Sequence, residues 1–322
     1  MISVALCTYN GHTFLRPQLS SIFSQTHPVD EIVICDDGST DETVHIIDYF
    51  KRTYPGIIEL HTNDRKLGVV KNFEKAVKLC RGDVIFLSDQ DDVWRNDKVQ
   101  KVMNFFGENP QSFAVFSDAR LIDETSKDIG KTLWEIHQFK EAVIHNPTLN
   151  LYHYLICHSN AVTGACLAIT KQAIPIVTPF KEIEEMYHDE WIALQLSPLN
   201  RINYLNDTLI SYRLHSTQQT KLIRYIEREE LNLIKRRIIL GETDVDGIEH
   251  YRYWKRRWNT LQKYISAGLA IDRNFLDEIT SGRKNGLIKY YKTLNIFERK
   301  RVLFRNWIKR EENITFLDVV VS

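Results

Sequence analysis

The chain has 322 residues, which suits two domains, or one large domain with an extension, at about 100–200 residues per domain. Its 42 basic and 42 acidic side chains give a formal net charge of zero, which excludes a generally basic nucleic-acid-binding protein and an acidic disordered chain. The hydrophobic content of 43% is that of a globular protein, and no apolar run approaches the ~20 residues of a membrane-spanning helix.

Apolar runs and amphipathic segments alternate at the start of the chain. The predicted strands are 3–8, 31–36, 57–62 and 83–88, and the predicted helices between them are 13–26, 41–54 and 70–79. Strands that alternate with helices pair in parallel through right-handed crossovers, so the pattern predicts a doubly wound α/β fold with a mostly parallel central sheet. In open sheets of this kind, ligands bind beyond the carboxyl ends of the strands.

The pattern is less regular in the middle of the chain. We predict strands at 113–118, 163–170, 202–205 and 209–214, and a helix at 188–196. The last third becomes helical, with predicted helices at 225–240, 249–267, 272–279, 287–294 and 297–309. This change predicts a first domain over 1–220 and an α-helical C-terminal region over 221–322.

Three carboxylates follow the fourth predicted strand, at Asp89, Asp91 and Asp92. Carboxylates this close repel one another unless a cation lies between them, and oxygen ligands suit Mg²⁺ or Mn²⁺. A solvated acidic turn is the alternative, as for any short Asp-x-Asp match. The position at the carboxyl end of an apolar strand favours a cation site.

The second predicted strand ends in Asp36, Asp37 and Gly38. An acidic residue at this place can accept hydrogen bonds from a nucleobase or a ribose hydroxyl. The alternative is a plain Asp-Gly turn followed by a helix cap. No GxGxxG pattern follows the first strand, which disfavours a dinucleotide-binding fold.

Two downstream clusters contain groups that can act in catalysis. Asp189 and Glu190 follow His188 just before an apolar helical stretch, so a carboxylate here is a candidate general base, or the group is an acidic helix N-terminus. Arg213 and His215 share one face of a predicted strand. They are candidates to contact a phosphate, a metal or an acceptor hydroxyl, or they are hydrogen-bonded structure.

Tryptophans lie close to these clusters. Trp94 adjoins the acidic cluster and Trp191 follows Glu190. Aromatic faces can stack on sugars, although most tryptophans belong to the core. Both are therefore candidates for a sugar-binding surface.

Together these segments resemble the nucleotide-sugar-dependent glycosyltransferases of family 2, which have the GT-A fold. The resemblance covers about residues 1–220 and rests on four motifs: 4–10 (VALCTYN), 36–41 (DDGSTD), Asn63 with Gly68 and Asn72, and 88–94 (SDQDDVW). Each motif is weak alone, but their order and spacing together are specific. The run 86–94 (FLSDQDDVW) is similar to the branch that contains bacterial rhamnosyltransferases of cell-surface polysaccharide synthesis.

The resemblance implies a role for each matching residue. Nucleotide contacts are implied for Thr8, Tyr9, Asn10, Asp37, Asn63, Lys71 and Asp89. Metal contacts are implied for Asp91 and Asp89, with His215 as a further candidate. The sugar and acceptor pocket is implied for Trp94, Gly164, Glu190, Trp191 and Arg213. Asp189 occupies the position of the family's catalytic base, at the start of a helix.

This chain departs from the branch in two places. Relatives often carry a second Trp where this chain has Glu190, which makes Glu190 a rival base and changes the expected acceptor preference. After His215, the usual Gly and Asn are replaced by Ser216 and Gln218. A metal or phosphate contact of His215 is therefore one expectation beside a structural role.

The implied activity is an inverting, Mn²⁺- or Mg²⁺-dependent glycosyl transfer. The donor is dTDP-rhamnose or a UDP-sugar, and the acceptor is a glycan or a lipid-linked glycan in bacterial cell-surface polysaccharide synthesis. The first alternative is a nucleotidyltransferase, which normally carries a Gly- and Arg/Lys-rich loop where this chain has 9–13 (YNGHT). The second is a catalytically inactive glycan- or membrane-binding module.

The C-terminal region has a charge opposite to that of the first domain. Residues 1–220 carry 20 basic and 28 acidic side chains, and residues 221–322 carry 22 basic and 14 acidic ones. The runs 251–258 (YRYWKRRW) and 299–307 (RKRVLFRNW) interleave aromatic and basic residues. Such helices can lie on an anionic membrane surface, or they form a helical extension that packs its aromatics and solvates its charges. Nucleic acid is not an expected partner.

Cysteine usage predicts a reducing compartment. The five cysteines are odd in number, widely spaced and without a CxxC pair, which disfavours a disulfide framework or a zinc site. The first residues read as a strand, so we expect no secretory signal. The expected location is the cytoplasm. If the C-terminal helices lie on an anionic membrane surface, the protein is attached peripherally to the inner face of the cell membrane.

Overall fold

The computed structural model describes residues 1–145, 150–216, 218, 237–239, 247–269, 271 and 273–293. These residues contain a nine-stranded sheet. Its strands are β1 (Ile2–Thr8), β2 (Glu31–Asp36), β3 (Ile58–Thr62), β4 (Val84–Ser88), β5 (Val93–Trp94), β6 (Ala114–Ile122), β7 (Asp128–Thr132), β8 (Leu167–Thr170) and β9 (Ile202–Arg213).

The helices of the described residues follow the strands in the first part of the chain and dominate the last part. They are α1 (His12–Phe23), α2 (Thr43–Thr53), α3 (Val69–Leu79), α4 (Lys98–Glu108), α5 (Leu133–His137), α6 (Phe139–His145), α7 (Leu151–Cys157), α8 (Ile174–Val177), α9 (His188–Leu196), α10 (Gly247–Ser266) and α11 (Arg273–Thr293). The predicted helix 188–196 has the observed bounds of α9.

The strand order is β3-β2-β1-β4-β8-β6-β9-β5, with β7 paired to β6. The first four neighbours in this order pair in parallel, whereas β8 is antiparallel to both β4 and β6. The predicted α/β fold with a mostly parallel sheet over the first strands is confirmed. Beyond β4, the rest of the sheet contains both parallel and antiparallel strand pairs.

The parallel half brings the polar ends of its strands to one edge. Every residue of β1, β2 and β4 is buried, which explains their apolar sequences because helices cover both faces of such sheets. In the parallel register, Thr8 lies opposite Asp36, and Leu6 lies opposite Ser88. The residues that follow these strands therefore meet at the carboxyl edge of the sheet.

Three predicted strands in the middle of the chain were wrong in detail. The predicted strand 163–170 begins as a 3₁₀ turn, Gly164–Cys166, and only Leu167–Thr170 pairs in the sheet. The predicted strands 202–205 and 209–214 are one strand, β9, which pairs in parallel with β6. A register shift around Asp118 absorbs the residues that the sequence marks as a break.

The chain divides into two compact units. One comprises Met1–Phe139 with Asn160–Ile226, and the other comprises Lys140–Ser159 with Glu227–Ser322. The predicted boundary near residue 220 lies outside the described residues and stays a prediction. The predicted helix 225–240 is described only at 237–239, and the predicted helix 297–309 and the run 299–307 lie outside the described residues.

The second unit contains a close crossing of α10 and α11. The predicted helices 272–279 and 287–294 are parts of one helix, α11, that runs through Gly282 and Gly286. A Cβ at Gly282 would lie 2.4 Å from the Trp254 ring, and one at Gly286 would lie 2.5 Å from the Tyr251 backbone N. Packing at these glycines explains why the sequence carries weak helix formers inside a continuous helix.

A cluster of metal-ligating residue types also lies in the second unit. His153, Cys157 and Glu278 have ligand atoms within 4.8 Å of one another. The His153 Nε2 and Glu278 Oε2 atoms are hydrogen-bonded at 2.7 Å, which accounts for this pair without an ion. Within the described parts of the chain, none of the helices combines the length and apolar character of a membrane span.

Candidate active site

Two loops at the carboxyl edge of the sheet are joined by a two-way contact. The Gln90 side chain accepts a hydrogen bond from the backbone N–H of Tyr9 at 2.9 Å and donates one to the Tyr9 carbonyl at 3.1 Å. Gly11 leaves room for this amide, because a Cβ there would lie 2.0 Å from Gln90 Oε1. The loops that follow β1 and β4 are therefore held together as one surface.

The Asp36 carboxylate fixes the loop that follows β2. It is fully buried and accepts hydrogen bonds from the Thr8 hydroxyl and the Ser39 backbone N–H, both at 2.8 Å. Asn10 adds a link from the first loop, since its N–H donates to Ser39 Oγ at 2.9 Å and its Oδ1 accepts from Thr40 N at 2.8 Å. Thr8 and Asn10, both predicted nucleotide contacts, thus join the loops to each other.

Asp37 connects β2 to the loop that precedes α3. Its Oδ1 accepts hydrogen bonds from Asn63 Nδ2 at 2.8 Å and from Leu67 N at 2.7 Å. Its Oδ2 accepts one from Gly68 N at 2.9 Å, and Gly68 has the left-handed φ of 80° that suits glycine. Because a carboxylate oxygen can accept two hydrogen bonds, Oδ2 retains capacity for one more donor beside its partner among the described residues.

Lys71 and Lys75 differ in what they contact. Lys71 Nζ donates to Glu74 Oε2 at 2.8 Å and to the Phe180 carbonyl at 2.6 Å. Lys75, one helical turn later, donates to Asn63 Oδ1 at 2.7 Å. The lysine hydrogen-bonded to the Asp37 network is therefore Lys75, which the sequence did not distinguish from its neighbours on α3.

Lys66 is a second basic residue that the sequence analysis missed. Its Nζ lies 3.5 Å from the ring centroid of Tyr9, and the Tyr9 side chain is exposed. Cation–π attraction holds an ammonium over an aromatic face. A positive charge therefore stands beside the predicted nucleotide-binding tyrosine.

The acidic cluster combines carboxylates in different surroundings. Asp92 is fully buried, its Oδ1 accepts a hydrogen bond from Arg213 N at 3.0 Å, and its Oδ2 has no partner among the described residues. Desolvation, followed by the charges of Asp91 and Asp189, raises the pKa of Asp89 to about 8. Desolvation also raises the pKa of Asp92 well above its usual range. Burial and mutual repulsion therefore disfavour the ionised forms of these carboxyl groups, and a bound cation would favour them.

His215 lies beside the acidic cluster. Its Nε2 and Asp91 Oδ2 are 2.8 Å apart, and both side chains are largely buried. The Phe14 ring packs 4.9 Å from the His215 ring and fixes its orientation. Carboxylate oxygens and an imidazole nitrogen are ligand types that suit Mn²⁺ or Mg²⁺, and the structure brings one of each together at Asp91 and His215.

Asp189 is the second residue of α9, and both of its carboxylate oxygens accept hydrogen bonds from backbone donors. Oδ1 accepts from Glu190 N at 2.7 Å, and Oδ2 accepts from Gly164 N at 2.9 Å. Desolvation raises the pKa of Asp189 to about 7, against the opposing effect of the Glu190 N–H. A carboxylate with a pKa near neutrality, fixed in orientation, has the properties of a general base.

Gly164 lies against His188, the first residue of the helix that carries Asp189. A Cβ at this position would lie 2.5 Å from His188 Nε2, so the turn admits only glycine without a shift. His188 is buried and stacks on the Phe73 ring at 3.9 Å. Glu190 is half-buried beside Asp189, and its charge contributes to the raised pKa of Asp189.

Three residues predicted for the sugar and acceptor pocket are buried, with exposures of 3% for Trp94, 7% for Trp191 and 1% for Arg213. Trp191 Nε1 donates to the Val177 carbonyl at 2.7 Å. Arg213 donates to the Asp91 carbonyl at 2.8 Å through Nε. The expectation of direct acceptor contacts does not fit this burial, because these side chains are already enclosed by protein groups.

The fold is that of the GT-A nucleotide-sugar transferases. The crystal structure of S. aureus TarS 1-349 in complex with UDP-GlcNAc shares it with a TM-score of 0.55 and 14% identity, covering 97% of this chain and 93% of that one. The mannosyltransferase PcManGT from Pyrobaculum calidifontis, in complex with GDP-Man and Mn²⁺, has a TM-score of 0.52 and 15% identity, covering 97% and 88%.

The N-terminal half of the chain is similar to one particular family. Residues 3–161 match the model of Glycosyl transferase family 2. Among curated relatives, it is 31% identical over 182 residues to the dTDP-rhamnosyl transferase RfbG of Shigella flexneri. That match covers 50% of this chain and 61% of the relative, so the chain spans less than two thirds of that protein.

Proposed function

We propose that the protein is an inverting, divalent-metal-dependent glycosyltransferase that moves a sugar from a nucleoside-diphosphate donor to an acceptor hydroxyl. One observation carries the proposal above all. Desolvation raises the pKa of Asp89 to about 8, and the charges of Asp91 and then of Asp189 add to this shift, so the candidate base lies close enough to the candidate metal-binding carboxylates to act on them electrostatically. Donor activation and acceptor deprotonation require this proximity.

In the proposed reaction, Asp189 takes the proton of the acceptor hydroxyl. The acceptor oxygen forms a bond to the anomeric carbon while the bond from that carbon to the diphosphate oxygen breaks. The nucleoside diphosphate leaves with the electron pair, and Asp189 carries the proton. Attack from the face opposite the leaving group inverts the anomeric configuration in a single displacement.

The residues that would hold a divalent ion are Asp89 and Asp91, with His215 beside them. Their fit rests on the raised pKa of Asp89 and on the orphaned Oδ2 of Asp92 nearby. The chemistry that such an ion supplies is neutralisation of the charge that develops on the leaving diphosphate. The identity of the ion, Mn²⁺ or Mg²⁺, is part of the proposal.

The nucleoside is proposed to bind between Tyr9 and Asp37. Asp37 Oδ2 can accept a further hydrogen bond, and uracil and thymine both offer the same N–H donor at this place. The likeness to a dTDP-rhamnosyl transferase supports dTDP-rhamnose as the first donor to test, and a UDP-sugar is the second. Lys66 and Lys75 add positive charge on the same side as Asp37 and Tyr9.

The proposed acceptor is a glycan or a lipid-linked glycan of the bacterial cell surface, reached from the cytoplasmic face of the membrane. In α10, Arg252 and Arg256 are exposed one helical turn apart, which supports contact with an anionic lipid surface. In the same helix, Trp254 is buried, and Arg257 donates to the Ile156 carbonyl at 2.6 Å. Part of the basic and aromatic run 251–258 therefore makes contacts within the second unit.

The proposal is tested by measuring nucleotide release from a panel of dTDP-, UDP- and GDP-sugars with Mn²⁺, with and without a lipid-linked glycan acceptor. We expect release of a nucleoside diphosphate from a dTDP- or UDP-sugar, increased by the acceptor. Release of pyrophosphate from a nucleoside triphosphate and a sugar phosphate would instead identify a nucleotidyltransferase. Neither binding nor turnover of any sugar nucleotide would identify an inactive binding module.

A further inference from the structure

Lys98 is a buried ammonium group that the proposed reaction does not use. It is the first residue of α4 and is 1% exposed. Its Nζ donates a hydrogen bond to the Ala165 carbonyl at 2.8 Å and lies 3.8 Å from the Trp94 ring centroid. An isolated buried charge is costly unless its surroundings compensate it, so its presence requires a physical reason.

The compensation does not come from a direct ion pair. Among the described residues, none has a carboxylate oxygen within 4.0 Å of Lys98 Nζ. Burial lowers the pKa of Lys98 to about 7, and the charges of Cys166, Asp92 and Asp89 oppose this shift. Cation–π attraction from the Trp94 face adds to this field. Lys98 is therefore a buried amine near the acidic cluster, and the negative charges of Asp92 and Asp89 favour its ammonium form.

The hydrogen-bond acceptor of Lys98 connects it to the candidate base. Ala165 belongs to the 3₁₀ turn Gly164–Cys166, whose three residues are buried. The N–H at the start of the same turn, on Gly164, donates to Asp189 Oδ2 at 2.9 Å. Lys98 thus binds the middle residue of a short turn, and the first residue of that turn orients Asp189.

We propose that Lys98 is a positioning residue for Asp189, acting through the turn Gly164–Cys166, and that its charge joins the acidic cluster and the candidate base into one unit. The inference rests on the proposed function, because it assigns Asp189 the role of base. Loss of the ammonium frees the Ala165 carbonyl and loosens the turn. A base displaced by a fraction of an ångström lowers the rate of proton removal more than it lowers donor binding.

The test compares Lys98→Met with Lys98→Arg and with Lys101→Met. Methionine keeps the unbranched apolar stem of lysine but has neither its positive charge nor its hydrogen-bond donors. Arginine keeps the charge and the donors. Lys101 is on the same helix and pairs with Asp207 near the surface at 2.7 Å, so Lys101→Met is a matched control. Steady-state kinetics of transfer and direct binding of the nucleoside diphosphate by calorimetry are measured for all four proteins.

For Lys98→Met we expect kcat to fall by about tenfold to a hundredfold, with the nucleotide Kd and the donor KM close to wild type. Lys98→Arg is expected to regain most of the lost kcat, and Lys101→Met to behave as wild type. Wild-type kcat in Lys98→Met, or a loss confined to KM, overturns the inference. Absence of transfer by the wild-type protein instead overturns the proposed function, so the two failures are distinguishable.

If Lys98→Met does not fold, Lys98→Gln is the second variant, since its amide can donate to the Ala165 carbonyl without a charge. Nucleotide binding by Lys98→Gln establishes that the site is folded. A reduced kcat at unchanged nucleotide affinity supports a role for the charge, and a wild-type kcat contradicts it.

Discussion

The side chain of Gln90 acts as a backbone partner for Tyr9. Its amide accepts from the Tyr9 N–H and donates to the Tyr9 carbonyl, as a neighbouring strand would do. A loop that carries the acidic cluster therefore sets the position of a residue in the proposed nucleoside site. Binding of the nucleoside and of the metal-bound diphosphate should then be coupled through this one side chain.

Gln90→Ala is expected to weaken binding of dTDP or UDP about five- to thirtyfold, because loss of these hydrogen bonds amounts to about 1–2 kcal/mol. Calorimetry with the nucleotide in the presence of Mn²⁺ measures the change. Gln100→Ala is the matched control, since Gln100 donates to Asn104 on the exposed side of α4. Equal affinities of the wild-type protein and Gln90→Ala would show that Tyr9 is positioned without this contact.

Asp189→Asn tests the assignment of the base. Asparagine keeps the size of the side chain but cannot take a proton, so kcat is expected to fall by about 10²–10⁴-fold while nucleotide affinity is retained. Glu190→Gln is the comparison, because Glu190 is the neighbouring carboxylate and the rival base. A large loss in Glu190→Gln with a small loss in Asp189→Asn would exchange the two roles.

The pKa of Asp189 sets the expected pH dependence of transfer. Desolvation raises this pKa from 3.8 to about 7, so the reactive carboxylate form increases as pH rises through 7, and kcat rises with it. The same shift means that the folded state binds this proton more tightly than the unfolded state. The stability contribution is therefore full below pH 3.8 and is lost as pH rises through about 7.

The pH profiles of kcat and of the unfolding free energy both measure this effect. Asp189→Asn should lose the acidic limb of the residual rate, and its stability should vary less between pH 5 and pH 8 than that of the wild-type protein. A wild-type rate that is independent of pH between these values contradicts the proposed base.

The acidic cluster predicts stabilisation by a divalent ion. Mn²⁺ at about 100 times its Kd should stabilise the folded protein by about 2.7 kcal/mol, measured as a rise in Tm at neutral pH. Asp91→Asn should lose most of this rise and the dependence of turnover on the ion. Asp128→Asn, which removes a carboxylate from an exposed pair with Arg120, should respond to Mn²⁺ as wild type. Undiminished turnover in EDTA would exclude the proposed metal role.

The parallel half of the sheet was predictable because its strands are buried on both faces. Burial leaves continuous apolar runs, and the polar residues that follow them, such as Asp36 and Asp89, stand out against those runs. The parallel register then brings these ends to one edge whatever the helices between them contain. These residues therefore lie at the edge where the sequence analysis expects a ligand to bind.

Sequence patterns of this kind do not predict the contacts of Arg213 and Lys98. Alternation along β9 indicates which residues share a face, but it does not show that both faces are covered at Arg213, whose guanidinium bonds to the Asp91 carbonyl. The position of Lys98 depends on Ala165, which is distant in sequence. Contacts of this kind are set by tertiary packing, so one chain read in order gives no signal for them.

The crossing of α10 and α11 gives the last prediction. Gly282→Ala places a methyl group against the Trp254 ring, where the available distance is 2.4 Å, and should destabilise the second unit by about 1–3 kcal/mol. Gly107→Ala is the matched control, because Gly107 is also inside a helix, α4, and a Cβ there meets nothing within 4 Å. That variant should be neutral or more stable by up to about 1 kcal/mol, since alanine is the better helix former. Denaturant unfolding followed by tryptophan fluorescence measures both changes, and an unchanged Gly282→Ala would contradict the close approach of these two helices.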